Sequence, residues 1–165
     1  MASYSLIKRS KLRFDLLKDD TFLGSLQYRG SFSQKAEIIL ANQEVYNIVV
    51  TGFWSVTFQL RKGNQIFAQY RMAWNGMLIE NIFQHPNSRL LLKSHGFYSR
   101  KYELLNENKD KLLHLEGEKS LWQMHGNCSI HSLPQFLNFS ENTALLLTII
   151  HAMHYHKLML VSAAT

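Results

Sequence analysis

Cysteine, proline and glycine are scarce in this chain: 165 residues contain 1 Cys, 2 Pro and 8 Gly. A lone Cys128 excludes an intramolecular disulfide framework and favours a reducing compartment. With Pro86 and Pro134 the only prolines and no Gly/Ser-rich run, nothing reads as a linker, and the expectation is one domain over residues 1–165. Acidic residues are also few, 12 against 18 Lys and Arg, which leaves a formal net charge of +6 and favours acidic partners. The first residues lack the apolar core of a secretory signal, so a cytoplasmic location is expected, with any membrane attachment peripheral. Dinucleotide, Walker A, nucleophile-elbow, C-x-x-C and H-E-x-x-H patterns are all missing, and no carboxylate pair stands out. The chain is therefore expected to work without catalysis, cofactor or metal.

What is present is a series of short runs rich in branched and aromatic residues, divided by turn signals about every ten residues, which is the pattern of an antiparallel meander. Trp54, Val56, Phe58 and Leu60 alternate with Ser55, Thr57, Gln59 and Arg61, the period of a half-buried strand. After Lys62-Gly63-Asn64 the alternation resumes at Ile66, Ala68, Tyr70, Met72 and Trp74, and Asn75-Gly76 reads as a further hairpin turn before the run 77–83. Further strands are expected at 13–17, 22–28, 36–40, 44–50, 89–93, 100–105, 111–115 and 119–125. Ten or more strands in one sheet must curl or close into a barrel.

The C-terminal segment loses the period of two. Residues 144–150 read Ala-Leu-Leu-Leu-Thr-Ile-Ile, and Asn138 with Glu141 three residues later fits the weaker form of a capping box. A helix apolar on every side is buried in a membrane or in a large core. His151, His154, His156 and Lys157 interrupt the run too early for a span, which favours the core.

A meander followed by one greasy helix resembles the tubby C-terminal-like superfamily, and within it the LURP-one-related and phospholipid-scramblase-like proteins. The resemblance rests on the strand at 12–17, the run Val45-Tyr46-Asn47-Ile48-Val49-Val50, the hairpins over 54–74 and the terminal helix. It implies a closed antiparallel β-barrel of about 10–12 strands enclosing a hydrophobic C-terminal helix. It also implies recognition of acidic lipid headgroups, phosphoinositide or an anionic membrane surface, although no headgroup-binding residue of the family is matched to a position here.

Two basic groups are the candidate anion-binding residues. Lys8, Arg9, Lys11 and Arg13 stand beside Tyr4, Leu6, Ile7 and Leu12, a mixture suited to an anionic bilayer, where each nearby cation contributes roughly 1 kcal/mol. The same residues read as a solvated first strand whose charged edge discourages aggregation, a reading favoured by Asp15, Asp19 and Asp20, which dilute the local field. Arg89, Lys93, Arg100 and Lys101 flank the loop 94–99, which reads as a phosphate clasp or as an ordinary long hairpin loop. His151 and His154 share a helix face as a metal pair would, but no acidic residue or cysteine lies near them in sequence, so with His156 they read as marking where the helix leaves the core and meets water or buried backbone partners. Cys128, three residues from both His125 and His131, reads as a small buried hydrophobe rather than a nucleophile. Trp54, Trp74 and Trp122 read as core, and nucleic acid is not the expected partner. An anionic membrane lipid is the leading partner. A protein partner without lipid binding is the alternative, and an enzyme with an unrecognised site is the third reading.

Overall fold

The computed structural model describes residues 1–31, 33–82, 85–96, 99–118, 126–139 and 142–164. Twelve strands follow in chain order: β1 (Ala2–Lys8), β2 (Arg13–Lys18), β3 (Thr21–Tyr28), β4 (Ala36–Leu40), β5 (Val45–Thr51), β6 (Thr57–Lys62), β7 (Gln65–Ala73), β8 (Gly76–Ile82), β9 (His85–Ser94), β10 (Lys101–Leu105), β11 (Lys111–Gly117) and β12 (Cys128–Ser132). A short 3-10 turn, Pro134–Asn138, leads to the helix α1, Asn142–Ala164. Every strand pairs antiparallel with its sequence neighbours, and β1 closes on β12 with Ala2 opposite Ser132 and Leu6 opposite Cys128.

Alternation makes the wall. Each strand sends residues two apart inward, such as Phe14 and Leu16 from β2, Ala36, Ile38 and Leu40 from β4, and Tyr102 and Leu104 from β10, all of them buried. A barrel of twelve strands is wide enough to hold a helix of about 10 Å diameter. α1 fills it, with every residue from Ala144 to Lys157 buried. It is long and apolar enough to cross a membrane, yet 78% of its apolar window lies inside the protein. On β3, an added Cβ at Gly24 would stand 3.2 Å from Leu147 Cδ1, so the helix packs directly on the backbone of the wall.

Several expectations are corrected. The strand expected from Trp54 starts at Thr57, and Trp54 and Trp74 lie in connections, 95% and 103% exposed, instead of in the core. The register shift between Leu60 and Arg61 puts Phe67 inside against Tyr46 and leaves Ile66 exposed. The two-residue turn at the end of β7 is Trp74-Asn75, with Gly76 already paired to Ala73. Strands β1 and β12, which close the barrel, were missed; closure leaves no edge for the basic N-terminal residues to guard. The strand expected at 119–125, Trp122, His125 and the Glu141 half of the capping box lie outside the described residues.

Candidate functional site

Because successive strands reverse direction, the connections β1–β2, β3–β4, β5–β6, β7–β8, β9–β10 and β11–β12 all open at one rim, here the upper rim, and the others at the lower rim. β12 runs downward, so α1 enters from below and runs parallel to β3. Leu147 lies at Gly24, and His154 lies at Tyr28, four residues further up the strand. The helix ends at the upper rim, where Leu158, Leu160 and Val161 are half-buried and Met159 is exposed.

The upper rim collects positive charge that is scattered in sequence. Lys8 ends β1, Arg9 and Lys11 lie in the turn, and Arg13 opens β2. Asp15, nearly buried, accepts from Arg9 Nε at 3.0 Å and Arg13 Nε at 2.9 Å, so one carboxylate fixes both guanidinium groups at the rim. Lys8 and Lys11 make no ion pair among the described residues. Across the rim, Lys93 stands opposite Gly76, Arg100 donates to the Glu118 carbonyl at 3.1 Å, and Lys101 lies 3.7 Å from Glu116. Arg29 and Lys35 flank the β3–β4 loop. Arg89 does not join them. It lies further down β9 opposite Glu80, to which it is paired at 3.2 Å, beside an open groove that also holds Asn87, Asn106 and Glu107. Ser94 Oγ donates to the Gly96 carbonyl at 2.7 Å and Ser99 Oγ accepts from Lys101 N at 3.0 Å, so both serine hydroxyls of the loop 94–99 are engaged locally, which weakens its reading as a phosphate clasp. Phe97 and Tyr98 of that loop lie outside the described residues.

Beneath the rim, the polar half of α1 is answered by tyrosines from three strands. Tyr70 meets His151 Nδ1 at 2.8 Å, Tyr28 meets His154 Nδ1 at 2.8 Å, and Tyr102 meets His156 Nδ1 at 3.0 Å. His151 Nε2 donates to the Gln34 carbonyl at 2.7 Å, which leaves its Nδ1 to accept the Tyr70 hydroxyl proton. Burial raises the pKa of all three phenols above the ordinary 10, so they remain hydroxyl donors. Burial also lowers the proton affinity of His156. The histidines thus stand as pillars between helix and wall. No group of three or more His, Cys, Asp or Glu able to hold a metal occurs among the described residues. The sequence reading puts these rings where the helix leaves the core; instead all three are buried, and their tyrosine partners lie 54 to 126 residues away in the chain, beyond any local pattern.

A cavity of about 170 Å³ opens between the β1–β2 turn, the β3–β4 loop and the emerging helix, lined among others by Lys11, Leu12, Tyr28, Gln34, His154 and Leu158. Cys128 points inward from β12 while His131 faces the other side, where its Nδ1 meets Ser3 Oγ at 3.0 Å. Burial pushes the Cys128 thiol up to about 11 despite the nearby Lys157, the opposite of an activated nucleophile. Lys157 itself is buried over the Tyr102 ring, 5.6 Å from its centroid, and burial lowers its pKa. Comparison of the chain with protein-family models, with curated proteins and with solved structures finds no match.

Proposed function

We propose that this barrel is a non-enzymatic binding module for acidic lipid headgroups at an anionic membrane surface, built on the tubby C-terminal-like plan. The observation that carries this reading is the convergence of Lys8, Arg9, Lys11, Arg13, Lys93, Arg100 and Lys101 on one rim, although 80 residues separate Arg13 from Lys93 in sequence. Aligned cations of one sign attract an anionic plane through a summed field that salt screens within about 10 Å. The membership in the superfamily draws support from the barrel wrapped around a buried C-terminal helix.

The test is co-sedimentation with neutral and anionic vesicles over a salt series, with phosphoinositide-containing vesicles as a third arm. Binding confined to anionic vesicles and lost as salt rises is the expected outcome, and phosphoinositide preference at equal charge would identify a specific headgroup. Absence of binding at low salt would remove the lipid reading and leave a protein partner as the alternative.

A further inference from the structure

The upper rim carries a second feature that charge does not explain. Phe53, Trp54 and Trp74 are 92%, 95% and 103% exposed, three large aromatic side chains fully presented to water, whereas the other aromatic rings among the described residues, Phe22 apart, are buried or half-buried. All three lie on neighbouring connections of this rim, β5–β6 and β7–β8. Thr57 pairs with Arg71 where β6 and β7 meet this rim, so the two connections rise side by side from adjacent strands. Phe53 and Trp54 stand edge to face with centroids 5.2 Å apart.

Both connections have backbones that require glycine. Gly52 sits at φ 88°, where an added Cβ would meet the Ser55 carbonyl oxygen at 2.4 Å. Gly76 sits at φ 156°, where a Cβ would fall 2.0 Å from the Leu92 carbonyl oxygen. The tight turn at Gly52 and the close approach at Gly76 lift the rings clear of the wall. The same rim bears the basic arc, with Lys93 opposite Gly76, and the apolar end of α1.

Indole and phenyl rings beside lysine and arginine are the side chains that suit the boundary between lipid headgroups and acyl chains. A soluble phosphorylated headgroup would use the cations and leave the rings in water; a bilayer uses both. We infer that Phe53, Trp54 and Trp74 insert into the interfacial layer of an anionic bilayer while the basic arc lies on its headgroups, so that the barrel docks end-on by its upper rim. This rests on the lipid-surface reading above and adds to it an orientation and an apolar anchor.

The full chain is titrated with phosphatidylcholine–phosphatidylserine vesicles, with and without bromine on the acyl chains, and sedimentation is followed in parallel. Brominated vesicles should quench the tryptophan emission. Trp54→Ser and Trp74→Ser should each lose part of that quenching and weaken sedimentation roughly tenfold. Phe53→Ser, which leaves every indole in place, should weaken sedimentation alone, and all three should keep the wild-type thermal melt because the positions touch no core. Sedimentation without quenching, or unaltered by the three substitutions, overturns the insertion and leaves headgroup binding standing. No sedimentation with any vesicle at low salt overturns both. Quenching by a thymidine oligonucleotide in place of vesicles also overturns both, since the rings would then stack on bases.

Discussion

At the lower rim the chain reverses in short polar turns, with Asp19, Asp20, Gln43 and Lys109 held at φ between 48° and 70°. Gly63 joins them at φ 59°, whereas among the described residues of the upper rim the left-handed positions are all glycines, Gly52, Gly76 and Gly96, and most connections are longer. When each connection is counted with one flanking strand residue on either side, the described residues of the upper rim hold 8 Lys and Arg against 1 Glu. The lower rim, counted the same way, holds 4 Lys against 5 Asp and Glu. The asymmetry continues inside. The lower half of α1 is aliphatic, and the upper half carries His151, His154, His156 and Lys157. One end of the barrel is thus closed economically and the other is built to present charge, rings and a polar core. Strand pairing places no such demand on a rim, so the difference points to work done at the upper end.

The largest effect should come from removing what both rims are built around. A chain truncated after residue 143 loses the entire core plug and should show no cooperative thermal transition by circular dichroism; a folded truncation would sink the architecture. Next comes the charge contrast. Lys8→Gln with Lys11→Gln removes two cations that hold no ion pair among the described residues, and at roughly 1 kcal/mol each should weaken anionic-vesicle binding about 30-fold. Lys109→Gln with Lys111→Gln at the lower rim should leave binding within about twofold. Equal losses from the two pairs would erase the distinction between the rims. Arg9 and Arg13 are poorer probes because removing them strips Asp15 of its partners.

The interior contrast is tested by Tyr70→Phe, which leaves His151 Nδ1 without the hydroxyl and should cost about 1–3 kcal/mol in a chemical denaturation curve. A matched aliphatic change in the lower half, Ile149→Val, should cost about 0.5–1.5 kcal/mol. The smallest effect is the pH slope. Burial depresses the proton affinity of His156 in the fold, whereas the unfolded chain titrates it near 6.5, so below that value the unfolded state binds more protons. The stability present above pH 6.5 should therefore fall as pH drops through 6.5 toward the lowered folded value. Replacing the pair together, Tyr102→Phe with His156→Leu, should flatten the slope of melting temperature against pH. An unchanged slope would show that other groups set it.

Much of the wall was legible because a period of two survives wherever one face meets a core, as at Ala36, Ile38 and Leu40. β1 and β12 were missed because their inward residues are few, Tyr4 and Leu6 on one and Cys128, Ile130 and Ser132 on the other, and their outward serines imitate loop. Trp54 and Trp74 deceived for the opposite reason. They continue the alternation of real strands past the point where pairing stops, and alternation alone cannot mark that point. The two basic groups were visible as groups, but their meeting was not, since that depends on how many times the chain reverses between Arg13 and Lys93.

Taken by themselves, the residues determined a long antiparallel meander and a helix apolar on every side, because periodicity and all-round hydrophobicity are local properties that water enforces directly. Only the tertiary structure decided which end each connection occupies, which tyrosine meets which histidine, and that seven cations and three exposed rings share one rim. Those are consequences of strand count and closure, and they exist only once the first strand has found the last.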